Sequence, residues 1–220
     1  MSLALLIAML GPPVRAGVMT SAPAADQSIE ARIIEDHIPF GRARKRQMAR
    51  YSKRHYGRAR WRLRRKKAIV LHFTAGNSYA GAWGTFASNA PVRGELPGVC
   101  AHYLIGKGGR VGEVVSPRIR CRHAIGLNYT ALGIEMVQVT GRGSGWAARQ
   151  ILGRKRQIRP ALRLVAQLKR RYDIRMRNII GHSMVNNSPL FRDRQGWRSY
   201  HVDWLWPQVK EFRRRLRKHL

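Results

Sequence analysis

The chain has 220 residues, and its 44% hydrophobic share is enough for one globular domain with a sizeable core plus an extension, which excludes a chain disordered throughout. Its 43 lysines and arginines outnumber 11 acidic residues and give a formal net charge of +32. Such a charge implies a polyanionic neighbour or at least a strong long-range field. Nucleic acid, anionic polymers and anionic membranes satisfy the same electrostatics, so the charge alone identifies no partner.

The N-terminus has features of an export signal. Residues 1–10 form an apolar run of signal-peptide length, and small residues with A-x-A character follow at 21–25. The run has no lysine or arginine before it, so an apolar leader is the alternative. It is too short for a comfortable transmembrane helix, and no later stretch could span a membrane. We expect residues 1–27 to be a signal peptide or flexible leader and the protein to be secreted.

Residues 28–67 form a basic segment that we expect to be a helical extension. Met48 and Tyr51, with His55 as a candidate third member, lie at helical spacing and predict a narrow apolar stripe that docks on the domain. The segment could bind a polyanion. Because basic residues are dense elsewhere in the chain as well, we favour a solvated basic face. His37, His55 and His219 belong to no motif and are interpreted as surface residues.

From residue 68 onward, strand patterns alternate with helix patterns. Apolar runs predict strands at 69–73, 132–139 and 178–181 and a hairpin over 99–105 and 110–115. Helical periodicity predicts helices at 79–87, 160–172 and 207–219, and the Gly/Arg-rich stretch 141–153 predicts an exposed loop. The fold class is therefore mixed α/β, with a central mixed β-sheet covered by helices, and residues 68–220 form the main domain.

Two cysteines, Cys100 and Cys121, each stand two residues before a histidine, in segments that we expect to be neighbouring strands. A disulfide between them is plausible for an exported protein. Two buried free thiols are an equal alternative.

Three side chains form a candidate zinc site. His72 lies at the end of one apolar strand, His182 follows another, and Asp203 comes after a long polar loop. A catalytic zinc takes three nitrogen or oxygen ligands from the protein and leaves a position for water. A set of two histidines and an aspartate is hydrolytic. His201 in place of Asp203 is an alternative third ligand. We expect Asp193 to pair with an arginine of its own loop, and it is a fallback ligand.

Five segments in a fixed order resemble a known enzyme family. They are IVLHFTAG at 69–76, AHYLIGKGGRV at 101–111, HAIGLNYTALGIE at 123–135, NIIGH at 178–182 and HVDW at 201–204. Over roughly residues 65–210 the chain resembles the zinc-dependent N-acetylmuramoyl-L-alanine amidases of the peptidoglycan-recognition type. The resemblance implies that family's fold, a Zn²⁺ cofactor, and hydrolysis of the lactyl-amide bond between N-acetylmuramic acid and L-alanine.

The resemblance also implies roles for individual residues. Glu135, the only carboxylate in a predicted buried strand, matches the family's catalytic glutamate, and burial favours the raised pKa of a base working near neutral pH. His201 stands where the family often has lysine; it would stabilise the oxyanion and make activity more dependent on pH. His102, His123 and Asn128 are assigned to the substrate cleft.

Two other functions stay open. A peptidoglycan-binding module without catalysis is disfavoured because all three candidate ligands are present. A nucleic-acid-binding protein is supported by charge alone, since no helix-turn-helix, zinc-finger or RNA-binding motif accompanies it. We expect a monomer that is secreted or associated with the cell wall. Its expected partners are peptidoglycan or muropeptides and, through the basic surface, anionic wall polymers, with no specific nucleic acid.

Overall fold

The computed structural model describes residues 30–220, so the expected leader at 1–27 lies outside the described part of the chain. The strands are β1 (Ile33–Glu35), β2 (Ala68–Ala75), β3 (Tyr103–Ile105), β4 (Val111–Glu113), β5 (Ala131–Val139) and β6 (Ile179–Gly181). The helices are α1 (Arg42–Tyr56), α2 (Tyr79–Ala87), α3 (Ser144–Gly153), α4 (Lys155–Tyr172) and α5 (Trp206–Leu216). Within residues 30–220, no helix is both long enough and apolar enough to cross a membrane.

The six strands form one mixed sheet in the order β1-β4-β3-β5-β2-β6. Strands β3, β5, β2 and β6 run parallel to one another, whereas β4 runs antiparallel to β3 and β1 runs parallel to β4. The mixed α/β fold expected from the sequence is confirmed. The long strands β5 and β2 are adjacent interior strands and share the longest register in the sheet.

Side-chain alternation divides the sheet into two faces. On β2, Ile69 and Leu71 point toward α3, α4 and α5 and belong to the largest core cluster. Val70, between them, points to the other face and packs with Leu127 and Val185 from the loops that cover it. Because successive residues of a strand alternate between its faces, His72, two residues after Val70, also points to the loop-covered face.

Most predicted elements are confirmed, and one is wrong. The strands, the hairpin and helix α2 form where the sequence indicates them, although α4 begins at Lys155, five residues before the predicted start. The stretch predicted as an exposed loop forms helix α3 from Ser144 to Gly153. Its residues Ala147, Ala148 and Ile151 are fully buried in the core, and this packing outweighs the low helix propensity of the flanking glycines.

The basic segment is integrated with the domain. Ile33–Glu35 pairs with β4 at the sheet edge, and the helix predicted within the segment forms as α1. Met48 and Tyr51 are fully buried, so the predicted apolar stripe is confirmed. His55 is also fully buried, and its interpretation as a surface residue is wrong.

The two cysteines form a disulfide. Cys100 and Cys121 have Cα atoms 5.5 Å apart and link the segment before β3 to the loop before β5. Both sulfurs are buried in the cluster that packs behind α2. The alternative of two free thiols is therefore wrong, and the cross-link fixes the chain two residues before both His102 and His123.

Candidate active site

The parallel pairing of β2 and β5 places His72 directly opposite Glu135. His72 lies between Leu71 and Phe73, and Glu135 lies between Ile134 and Met136. These four neighbours belong to the core under α3–α5, so both polar side chains point to the loop-covered face. Both are buried, with 3% and 9% of their surface exposed. The sheet therefore supplies an imidazole and a carboxyl group side by side on rigid backbone.

Two further groups reach the same place from outside the sheet. His182 follows β6 and begins a short 3₁₀ helix, His182–Asn187. The carbonyl of Asp203 accepts a hydrogen bond from the Ser183 amide, at 3.0 Å, which holds the Asp203 loop against this helix. The loop thus returns to the sheet beside His182.

Trp204 anchors that loop to the sheet. Its ring is fully buried and its indole N–H donates to the carbonyl of His72, at 3.2 Å. Trp204 adopts φ 57°, a left-handed conformation that is strained for a bulky residue. Its carbonyl approaches Gly181 so closely that a Cβ there would lie 1.8 Å from the oxygen, so only glycine fits at position 181.

The three candidate ligands converge on one point. The Nδ1 atoms of His72 and His182 lie 3.0 Å apart, and the carboxylate oxygens of Asp203 lie 3.3 Å from the first and 3.2 Å from the second. Ligand atoms about 2.0–2.1 Å from a tetrahedral zinc are separated by about 3.3 Å. Among residues 30–220, this is the group of histidine, cysteine and acidic side chains found to converge with metal-ligand geometry. The residues present therefore fit zinc.

Hydrogen bonds assign the tautomers of this site. Nε2 of His123 lies 3.3 Å from the carbonyl of Ala131, and because a carbonyl only accepts, this nitrogen carries the proton. Nδ1 of His123 must then accept from Nε2–H of His72, at 3.1 Å. That leaves Nδ1 of His72 without a proton and facing His182 and Asp203. Burial lowers the pKa of His72 to about 4 and that of His123 well below its usual value, which keeps both rings neutral.

The two carboxyl groups have opposite environments. Burial raises the pKa of Asp203, but its contacts with the His182 and His72 rings outweigh burial and hold the pKa far below its ordinary range. Burial, and then the charge of Asp203, raises the pKa of Glu135 well above its usual value. One carboxylate is thus a permanent anion suited to a metal, and the other is suited to exchanging a proton.

Comparison with known families decides between the functions that this geometry allows. The sequence profile of the Amidase_2 family, described as N-acetylmuramoyl-L-alanine amidase, matches residues 62–195, which is more than half of the chain. The chain belongs to this amidase family. It is an N-acetylmuramoyl-L-alanine amidase, and the family resemblance inferred from its five motifs is confirmed. No curated protein sequence matches the amidase.

Three solved structures are similar to the chain, and the first of them supports the fold. The PlyG catalytic domain matches with a TM-score of 0.51 at 12% identity, over 86% of the amidase and 94% of that domain. AmiD from E. coli, solved with anhydro-N-acetylmuramic acid-L-Ala-D-gamma-Glu-L-Lys, matches with a TM-score of 0.48 at 20% identity, over 67% of this chain and 57% of its own. The Ph2119 endolysin from a Thermus scotoductus bacteriophage matches with a TM-score of 0.45 at 20% identity, over 82% and 98% of the two chains.

A cleft of about 330 Å³ opens beside the convergent side chains of the amidase. His201 lines it and stacks on His182, with ring centroids 4.4 Å apart. Burial, followed by the proximity of His182, lowers the pKa of His201 despite the attraction of Asp203. His201 is therefore a neutral N–H donor at neutral pH. It lies in the cleft and outside the His72–His182–Asp203 group, which disfavours it as a third metal ligand.

Two of the three residues assigned to the cleft, His102 and Asn128, form hydrogen bonds to backbone groups inside the domain. His102 is fully buried behind His123; its Nδ1 accepts from the Gly133 amide and its Nε2 donates to the carbonyl of Ile119. Its assignment to the cleft is wrong, because both nitrogens are used inside the domain. Asn128 contributes to the cleft wall, but its carbonyl oxygen accepts from the amides of His123 and Ala124 and so shapes the loop. His123 itself borders the cleft.

Sequence reasoning missed the groups that shape the cleft walls. Arg122 is buried and donates to the carbonyls of Val92, Glu95 and Pro97, which fixes one wall. Nothing distinguishes it in sequence from the other basic residues.

His55 connects the same loop to the segment at 193, because its ring nitrogens contact carboxylates of Asp193 at 2.7 Å and Glu95 at 2.8 Å. The expectation that Asp193 pairs with an arginine is wrong. Since Asp193 is bound to His55, it is also not a fallback metal ligand.

Proposed function

We propose that the amidase cleaves the lactyl-amide bond of peptidoglycan with a zinc ion held by His72, His182 and Asp203. The observation that carries this proposal is the convergence of the Nδ1 atoms of His72 and His182 and the Asp203 carboxylate within 3.0–3.3 Å. Without a cation, the Asp203 anion is buried among these rings, an arrangement that is costly. Zinc, when bound there, polarises a carbonyl and lowers the pKa of a water.

Glu135 is the proposed general base. Its carboxyl group lies beside His72 on the adjacent strand and borders the same cavity as the three ligands. A raised pKa lets it accept a proton from the attacking water and donate it to the amine of L-alanine as that amine leaves. Because Glu135 is not one of the three proposed ligands, its substitution would leave the zinc ligands in place.

His201 is the proposed donor to the developing oxyanion. Its ring is stacked on His182 at the cleft side of the ligand group, where a substrate carbonyl would be bound. In its neutral form it offers one N–H, and a positioned donor of this kind stabilises the charge that forms in the transition state. The lysine often present in the family would offer a permanent charge instead.

Two wider expectations remain proposals. We propose that the amidase acts outside the cell, on the basis of the signal-like sequence at 1–27, and that it acts as a monomer on peptidoglycan or muropeptides. We also propose that its basic surface holds it to anionic polymers of the wall. The net charge of +32 supports this association but does not locate it.

The test measures newly formed N-terminal alanine in purified peptidoglycan. Wild type is compared with chelator-treated protein, with the same sample after zinc is restored, and with Asp203→Asn; Glu211→Gln on α5 is the matched carboxylate control. We expect one zinc per chain, loss of alanine release on chelation and in Asp203→Asn, and recovery with zinc. Undiminished release from zinc-free protein would refute the metal role. One bound zinc without alanine release would favour a binding module.

A further inference from the structure

A second groove lies away from the cleft, where the segment that leads into β2 meets the loop at 189–192. Its volume is about 780 Å³. Seven cations line it: Arg58, Arg60, Arg64, Arg65, Lys67, Arg120 and Arg192. No acidic residue of the described chain is part of its lining. We call this surface the cationic groove.

The charges of the cationic groove are uncompensated. The arginines that form ion pairs within residues 30–220 are Arg54, Arg110, Arg214 and Arg215, and all of them lie outside the groove. Gathering seven like charges in one concavity raises the electrostatic potential there and is unfavourable for the isolated protein. If these charges served only to solvate the protein, we would expect them to be spread over convex parts of its surface.

Arg120 is the most telling member of this set. It is 93% buried, its guanidinium donates to the hydroxyl of Ser52, and its Nε has no hydrogen-bond partner. Burial lowers its pKa to about 10. A buried guanidinium without a counter-ion is costly, and an anion bound in the groove would offset that cost. This observation is independent of the count of surface charges.

The groove also has planar surfaces suited to a polymer. The hydroxyl of Tyr129 donates to the carbonyl of Leu190, at 2.7 Å, and fixes the ring, while the guanidinium of Arg192 lies 5.7 Å from the ring centroid. Guanidinium groups bind phosphate oxygens in a two-pronged manner, which a lysine-rich surface does not offer. Phosphate groups repeated along a flexible chain therefore match this lining.

We propose that the cationic groove binds the phosphodiester backbone of an anionic polymer attached to the cell wall. The choice of a wall polymer rests on the peptidoglycan substrate of the amidase family; the groove itself rests on its own residues. Tyr129 and Thr130 line the groove, while His123 and Asn128 of the same loop border the cleft, so the loop separates the two sites. Both sites can be occupied at once, and the groove would hold the enzyme beside its substrate.

The test measures binding of deacylated poly(glycerol phosphate) lipoteichoic acid to the zinc-loaded full chain by calorimetry at several salt concentrations. The groove variant Arg64→Gln/Arg65→Gln/Arg192→Gln is compared with Lys155→Gln/Arg159→Gln/Arg217→Gln, which removes the same charge outside the groove. We expect the groove variant to weaken binding at least tenfold and to reduce the salt slope by roughly two. The control should weaken binding less than twofold.

Equal weakening in both variants would overturn the proposal, because the charge would then act as a diffuse field. Single-stranded DNA of matched charge is the competitor, and binding as tight as that of the wall polymer would also overturn it. Cleavage of a soluble muropeptide by the groove variant is expected to match wild type. That measurement separates a failure of the groove from a failure of the zinc chemistry.

Arg120→Gln provides a second readout. If Arg120 serves to bind an anion, the variant should bind the polymer more weakly. Its midpoint of thermal unfolding should stay equal or rise, because the substitution removes a buried charge that has no counter-ion. A purely structural arginine would show the reverse, with a lower midpoint and unchanged binding.

Discussion

His72 and Glu135 are register partners on two parallel strands at the centre of the sheet. The first belongs to the group that can hold a metal, and the second carries a carboxyl group whose pKa is raised by burial. Because the relation is set by backbone pairing, it does not depend on loop conformation. The proposed base is therefore as rigidly placed as the ligand beside it.

This placement predicts the behaviour of Glu135→Gln. The amide keeps the shape of the side chain but cannot exchange a proton, so kcat is expected to fall by roughly 10²–10⁴. Zinc content should stay at one per chain, since Glu135 is not in the ligand group. Kinetics on a soluble muropeptide and metal analysis check both points, with Glu211→Gln as the control. Loss of zinc together with activity would assign Glu135 to metal binding instead.

His201 gives a second prediction. Removing one donor to an oxyanion reduces kcat by about 10²–10³ in other hydrolases, so His201→Ala is expected to lose activity on that scale. His201→Lys should stay within about tenfold of wild type, because lysine also donates to an oxyanion. The activity of His201→Lys should change less than that of wild type as the pH is lowered. A wild-type kcat in His201→Ala would exclude the oxyanion role.

His102 gives a prediction about stability and pH. Its pKa is lowered by burial from 6.5 to about 4, so the unfolded chain binds a proton between these values and the folded chain does not. The contribution of His102 to the free energy of unfolding is therefore fully present above pH 6.5. As the pH falls from 6.5 toward 4, the protein loses about 3 kcal/mol of stability through this group. Urea unfolding at several pH values measures the slope. In His102→Gln the slope should decrease by one proton; an unchanged slope would contradict the assignment.

His55 predicts a large effect of one side chain on stability. It is buried between the carboxylates of Asp193 and Glu95. Its removal leaves Oδ2 of the buried Asp193 carboxylate without its partner, while Oδ1 keeps its two backbone amide donors. His55→Ala is expected to lower the free energy of unfolding by about 3 kcal/mol. His37→Ala is the control, because His37 makes an exposed pair with Glu113 and should cost less than about 1 kcal/mol. Similar losses in both variants would show that the His55 pair is not specially stabilising.

Strong periodic patterns explain which elements could be predicted. The apolar runs of β2 and β5 and the amphipathic pattern of α4 identify them from local sequence. Helix α3 was missed because Gly141, Gly143 and Gly145 indicate a loop, although Ala147, Ala148, Ile151 and Leu152 form an apolar helical face. Strand β1 was missed because three residues carry too little pattern, and it exists through pairing with β4, 78 positions away.

The candidate site could be predicted to the extent that its residues lie in recognisable motifs. His72 and Glu135 lie on neighbouring strands and His182 follows a third, whereas Asp203 is brought to them by the loop that Trp204 anchors. His102 was misassigned because a histidine in a family motif gives no sign of whether its nitrogens face a cleft or backbone. His55, Glu95 and Asp193 could not be connected from sequence, since they meet across 40 and 138 residues of separation.

The bond from Trp204 to the His72 carbonyl has a consequence for the order of assembly. It joins the strand that carries one ligand to the loop that carries another, through backbone and indole alone. If zinc binds as proposed, folding would bring the ligands together first, and the ion would enter a cavity that is already formed. Such an enzyme would release its metal to a chelator and recover it without unfolding. Exposure to a metal-poor medium would stop catalysis while leaving the protein able to restart.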